Sequence, residues 1–297
     1  MAVGHGDTFH HVRDFPYFEL PFGVKIDLPE IAGLPLTKFM VLQLVAFAAA
    51  FLIFRGLARR IASGEPARGR WWNFWEMLAL YIRDEVVRPT IGGGHEDHEH
   101  EHAHEADEAS DHRNAASDEP HGHPADKYLP FVWSCFFYVL FCNLIGAFPW
   151  MGAATGNINV TGALAVVAMS ATIFYGSSEK GLVGFWTGLS PSMDLPAIMK
   201  PPMVLMIWVI ELFGMLVKHA VLAIRLFANM MAGHTVIAVI LGFIALAAHT
   251  GMFYLVAPAS IVGQLAISAL ELFVAFLQAY IFAFLATLFI GMGVHEH

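Results

Sequence analysis

The chain has 297 residues, of which 57% are hydrophobic and only 14% charged, and its mean hydropathy is +0.59. Soluble domains carry about 25% charged residues, so this composition excludes an ordinary soluble enzyme and points to a polytopic membrane protein. The formal net charge of −9 is local: between His95 and Asp126 eleven acidic residues face one basic residue, and everything else sums to +1.

Residues 1–35 are polar and aromatic, with three histidines, His5, His10 and His11. No basic stretch precedes a short apolar core there, so a cleaved signal peptide is not expected. The first span is predicted from about Thr37 to Phe54. Arg55, Arg59, Arg60, Arg68 and Arg70 follow it against Glu65 alone. By the positive-inside rule that end is cytoplasmic and the N-terminus lies outside.

Trp71 to Pro89 is predicted to be an interfacial amphipathic helix. Trp71, Trp75, Leu78 and Ile82 recur at helical spacing, while Glu76, Arg83, Asp84 and Glu85 break any long apolar run. Tryptophans suit the headgroup region. An amphipathic helix packed on protein would show the same pattern.

A His/acid-rich segment follows, with eight histidines between His95 and His123. Alternating His and Glu around His95, His98, His100, His102 and His104 could bind zinc or nickel, or buffer protons. The better reading of residues 92–126 is a disordered cytoplasmic insertion with no apolar side chains to bury. The second span, Tyr128 to Trp150, contains Asn143 and ends at Pro149. The third runs from Val160 to Tyr175 and is closed by Glu179 and Lys180, which makes 128–180 a membrane helical hairpin. Cys135 and Cys142, seven apart on the second span, read as packed thiols and not as a disulfide or metal site. The Gly-, Ser- and Pro-rich stretch from Gly176 to Pro202 is a loop with room for a short interfacial turn.

Two long apolar stretches close the chain, Met203 to Ala248 and Met252 to Gly291, separated by His249-Thr250-Gly251. The first would be about 69 Å long as one helix, against a hydrocarbon core of about 30 Å. It is either two ordinary spans or one steeply tilted helix. With no proline and only isolated glycines inside it, the single helix is favoured. The expected fold is therefore all-α, with about five membrane helices. The last two are long, tilted and antiparallel over 203–293, and the C-terminus is cytoplasmic.

From Pro201 to Gly293 the only formally charged side chains are Glu211, Lys218, Arg225 and Glu271. An arginine near the middle of a bilayer costs between about 2.5 and well over 10 kcal/mol, so Arg225 marks a functional ion pathway with a carboxylate partner. It cannot relay protons by losing its own, but it can pair with a carboxylate and repel a passing cation. A static buried pair with Glu211 or Glu271 is the bland alternative. Glu211, Lys218 and Arg225 are spaced by seven and share a stripe; Asn229 follows Arg225 at i+4, and Glu271 and Gln278 share a face. A hairpin centred near residue 252 brings Arg225 opposite Gln278 and His234 opposite Glu271. It predicts a central Arg/Gln pair and a His/Glu pair nearer the turn.

Ile224-Arg-Leu-Phe-Ala-Asn-Met-Met-Ala-Gly-His234 resembles the signature of subunit a of the F-type ATP synthases, the stator of their membrane rotor. Leu277-Gln-Ala-Tyr-Ile-Phe282 is similar to that family's last-helix motif. Phe131-Val-Trp-Ser, Asn143-Leu-Ile-Gly-Ala-Phe-Pro149 and Asn157-Ile-Asn-Val-Thr161 resemble its middle spans. The resemblance implies that Arg225 faces the carboxylates of a rotating c-ring, with Gln278 beside it and Asn229 lining the path. His234 and Glu271 match a coupled acid/histidine pair in the outside half-channel, in swapped order, and Glu211 matches an acidic position near the cytoplasmic half-channel. His219 stands where the family often has proline. The implied partners are the c-ring, the subunit b stalk and the remainder of the synthase, in a bacterial inner membrane. No cofactor, nucleic acid or ATP site is expected for this non-catalytic subunit. The alternative from another class is a polytopic metal-ion transporter with a His-rich cytoplasmic loop.

Overall fold

The computed structural model describes residues 17–19, 25–31, 34–62, 69–92, 123–148, 152–189, 200–248 and 250–295. The possible metal ligands His95, His98, His100, His102 and His104 lie outside the described residues. Two minimal antiparallel hairpins precede the helices: β1 (Tyr17–Glu19) with β2 (Lys25–Asp27), and β3 (Glu30–Ile31) with β4 (Leu34–Pro35). The sequence reading had no strand here, because runs of two or three residues carry no readable period.

The rest is helical. α1 (Lys38–Ala62) starts on Thr37, whose carbonyl accepts from Val41 N at 3.2 Å. α2 (Arg70–Tyr81) runs into a π-helical turn (Ile82–Val87) and α3 (Arg88–Gly92). A 3-10 turn (Pro124–Tyr128) leads into α4 (Leu129–Gly146), and α5 (Ile158–Lys180) is capped by Asn157, whose Oδ1 accepts from Asn159 N at 2.9 Å. Gly181, at φ +76°, ends α5 in a conformation that strains other residues and starts α6 (Leu182–Gly188). α7 (Lys200–Ala247) and α8 (Phe253–His295) are joined by residues 248–252.

Among the described residues, five helices are long and apolar enough to cross a membrane: Lys38–Arg60, Pro124–Gly146, Ile158–Lys180, Pro201–Ala247 and Phe253–Val294. The expected all-α polytopic architecture with two long final helices is therefore observed. α7 runs unbroken for 48 residues, which removes the two-span alternative. At about 1.5 Å per residue it is about 72 Å long, so it stays within a 30 Å core only by tilting steeply.

The chain divides into two compact units. The first comprises Met1–Gly56, Cys135–Ser170 and Leu212–Phe282; the second comprises Leu57–Ser134, Ala171–Glu211 and Ala283–His297. In the first, Phe39 and Leu42 of α1 pack with Ala154 and Ile145. Phe136 of α4 meets Phe276 of α8 edge-on, with centroids 5.9 Å apart, and Phe137 meets Phe54 at 4.7 Å. Cys135 and Cys142 are buried free thiols.

In the second unit the amphipathic stripe is split. Trp75, Leu78 and Ile82 are buried, whereas Trp71, Phe74, Met77 and Tyr81 are exposed. The indole expected at the interface at position 75 thus packs on protein; Trp71, at the start of the same stripe, stays exposed, and the neighbouring exposed face carries Phe74, Met77 and Tyr81. Trp133 Nε1 donates to Ala79 O at 2.9 Å, and Lys127 pairs with Glu179. Arg88 forks onto Asp126 with bonds of 3.1 and 3.0 Å. Arg83, bonded to Asp84, holds that carboxyl below its usual range; the bond to Asp126 pushes Arg88 higher still.

Candidate functional site

The first unit holds a cavity of about 200 Å³ lined by α4, α7 and α8. Its walls bring together Asn229, His234 and Glu271, with Asn143, Met230 and Gly233. Three residues that the sequence singled out on two different helices therefore share one space.

The local reason is the hairpin register. Gly233 lies against the Glu271 side chain: a methyl group added to it would collide with Oε1 and stand 2.9 Å from Cδ and 3.1 Å from Cγ. The residue directly facing Glu271 is thus Gly233, one position from the expected His234. His234 and Glu271 still interact electrostatically, but among the described residues no hydrogen bond joins them. The His234 ring instead turns back on its own helix, where Nδ1–H donates to Met230 O at 3.0 Å. A carbonyl can only accept, so Nδ1 carries the hydrogen and Nε2 keeps the lone pair that takes up a proton.

Arg225 and Gln278 do not form the expected pair. Arg225 is exposed on α7 and makes no hydrogen bond or ion pair among the described residues. Gln278 is 4% exposed, and its Nε2 has no hydrogen-bond partner among the described residues. A buried amide without a partner costs about 1–3 kcal/mol. Large apolar side chains precede the arginine on the exposed side of α7, including Val217, Val221 and Ile224. Glu211 is half-buried and is not among the residues lining the cavity. The bland alternative of a static Arg225–Glu271 pair is not what the geometry gives, since Glu271 turns to Gly233.

Two residues to which the sequence assigns no role are buried. Asn143, the single amide in α4, had been placed on its span without a role; it is fully buried, bonded to Thr155 and to the Ala275 carbonyl. A lone amide in an apolar helix was the available signal. His219 is buried and donates through Nδ1–H to Met215 O at 2.8 Å. It lines a second cavity of about 280 Å³ with residues of α5 such as Gly162 and Ala165. Among the described residues no group of three or more His, Cys, Asp or Glu side chains could hold a metal ion.

Comparison with known proteins gives one family. The family described as ATP synthase A chain matches residues 112–291. The chain is similar to ATP synthase subunit a of Chloroherpeton thalassium, 35% identical over 98% of this chain and 77% of the relative. It is similar to ATP synthase subunit a of Myxococcus xanthus, 34% identical over 97% of this chain and 88% of the relative. A third relative, ATP synthase subunit a of Chlorobium phaeobacteroides, is 33% identical over 99% of this chain and 79% of its own length.

Proposed function

The chain belongs to the ATP synthase subunit a family, and on that premise we propose that it is the proton-conducting stator of an F-type synthase. It is a multi-pass membrane protein, and we place its N-terminus outside and its C-terminus in the cytoplasm, after the run of arginines that follows α1. Its partners are a ring of small hydrophobic subunits bearing carboxylates, a peripheral stalk of subunit b, and the remainder of the synthase.

The observation that carries the reading is Arg225. A permanently charged group stands exposed among Val217, Val221 and Ile224, with no carboxylate bonded to it among the described residues. Such a face is incomplete without an apolar partner that brings a carboxylate. A carboxylate moving past in lipid must be neutral, because an unpaired charge there costs several kcal/mol. Opposite Arg225 the order reverses: the guanidinium favours the ionised form and drives the proton off. It cannot itself be deprotonated, so it blocks direct leakage between the two sides.

The two sides are supplied by different residues. The cavity of His234, Glu271 and Asn229 has room for several waters at about 30 Å³ each. It loads the ring carboxylate from outside through His234 Nε2 and the Glu271 carboxylate. Glu211 lies 14 residues before Arg225 on α7, about 21 Å along the helix, and serves the release path to the cytoplasm. Proton flow through the two half-channels in sequence then turns the ring and drives ATP synthesis.

The test is the Arg225→Ala variant in the assembled synthase in sealed vesicles. Proton-driven ATP synthesis should be abolished while ATP hydrolysis by the soluble sector continues. Normal synthesis in that variant would refute the reading. A protein that purifies without a ring-forming subunit and is stabilised by zinc would favour a metal-ion transporter instead.

A further inference from the structure

We propose that the C-terminal end of α4, with Asn143, Gly146 and Thr155, is a positioning clamp that sets the spacing of His234 and Glu271. This rests on the reading of those two as the outside proton-accepting pair. Asn143 and Thr155 are both 0% exposed. Thr155, in the 3-10 turn Ala154–Gly156, donates through Oγ1 to Asn143 Oδ1 at 2.8 Å. That bond fixes which way the amide faces, and Nδ2 then donates to Ala275 O on α8 in a long bond of 3.4 Å. Ala275 is four residues after Glu271 on α8.

The other jaw is Gly146, three residues after Asn143 and so on the same side of α4. A methyl group added there would stand 2.9 Å from Met230 Cε on α7 and 2.9 Å from Ala153 Cβ. Met230 is four residues before His234, and its carbonyl takes the His234 ring hydrogen. One turn of α4 therefore grips α8 one helical turn from Glu271 and α7 one helical turn from His234. Asn143 itself lines the cavity between them. Two fully buried polar side chains in an apolar setting are costly unless their bonds are made, and here they are made to each other and to α8.

The clamp is tested in the assembled synthase by proton-driven ATP synthesis per complex, measured across outside pH. Thr155→Val keeps the side-chain shape and removes the hydroxyl hydrogen that orients the amide. It should lower the rate roughly three- to tenfold, the fold-change of one neutral hydrogen bond, and shift the pH profile; Thr155→Ser should restore both. Independently of activity, the rate of disulfide formation between cysteines placed at 234 and 271 should fall with Thr155→Val and recover with Thr155→Ser. Gly146→Ala, which presses on Met230, is read the same way and covers the case in which Thr155→Val does not assemble. A normal rate per complex with an unchanged pH profile and unchanged crosslinking would overturn the clamp, whatever the yield of complex. Glu271→Gln separates the two readings. If it too leaves rate and pH profile untouched, the pair itself is misassigned; if it lowers them while Thr155→Val does not, only the clamp fails.

Discussion

The Glu271 carboxylate lies against the backbone of Gly233, so close that a single methyl group there would collide with Oε1. The glycine before His234 is thus the notch in α7 that lets a carboxylate of α8 reach the cavity. The atom it would meet is the far end of a flexible side chain, which can swing away without moving either helix. Gly233→Ala should leave assembly intact, since alanine is the better helix former by about 1 kcal/mol. It should nonetheless displace the carboxylate, and misplacement of this order costs roughly ten- to a hundredfold in rate. ATP synthesis per complex in vesicles checks this; a wild-type rate would show that the carboxylate position is immaterial.

His234 and Glu271 share one cavity with no direct hydrogen bond among the described residues; on the proposed reading a proton passes between them through intervening water. Replacing either one, as His234→Ala or Glu271→Gln, should slow proton uptake from the outside. Residues that act as a unit give non-additive effects, so the double variant should be little worse than the more damaged single one. Fully multiplicative losses would mean two independent functions. Cysteines at 233 and 271 should crosslink at least as fast as those at 234 and 271. Cysteines at 211 and 271 should not, because position 211 lies 22 residues before Gly233 on the unbroken α7, about 33 Å along its axis.

The seam between α7 and α8 was legible because few polar side chains survive in these apolar tracts, so their spacing carries the register. His234 and Glu271 could be brought near each other from their numbers, one residue out of register, whereas the spacing of Asn229 tied it to Arg225 and not to this cavity. The Arg225–Gln278 pair could not. Both faces of α7 are apolar in sequence, and nothing in the residues separates the face towards α8 from the exposed one. The same ambiguity moved Trp75 from the expected interface into the protein. The contact of Asn143 with Thr155 depends on how the chain turns after α4, and no helical or strand period reports that. Gly233 was visible as a glycine, but its purpose depends on a side chain 38 residues away.

The His/acid segment is poor in large apolar side chains and rich in charge, the composition of a chain that cannot build a core of its own. Deleting residues 95–122 should leave assembly and ATP synthesis within about twofold of wild type, as polar segments without large apolar side chains tolerate change. The deletion should stop short of His123. That residue accepts from Ala125 N through Nδ1 at 3.3 Å and caps the 3-10 turn ahead of α4; losing such a cap costs about 1 kcal/mol. Yield and synthesis rate of this deletion and of one that also removes His123 decide the matter. A large loss with the shorter deletion at ordinary metal concentrations would give the histidines a role.

Arg88 joins the end of the π-helical turn to the turn before α4 through its fork onto Asp126, with bonds of 3.1 and 3.0 Å, and reaches Asp84 at 3.4 Å. Asp84 receives its main bond from Arg83, and its carboxyl is therefore held below the ordinary value. For a carboxylate lowered in the folded state, the stabilisation is fully present above the unfolded pKa and is lost as pH falls through the folded one. The difference in thermal stability between wild type and Asp84→Asn should thus be flat from neutral pH down to about 5. It should shrink only as pH drops below about 4, the unfolded carboxylate range. The group is largely exposed, so the difference itself should be small, at most about 1 kcal/mol, and should diminish in high salt. Arg88→Ala should be the more damaging change, because it breaks a two-bond fork and leaves Asp126 without it. Thermal melts of the purified protein at several pH and salt values measure both. Equal and salt-independent losses in the two variants would mean that the arginine acts through packing of its stem and not through its charge.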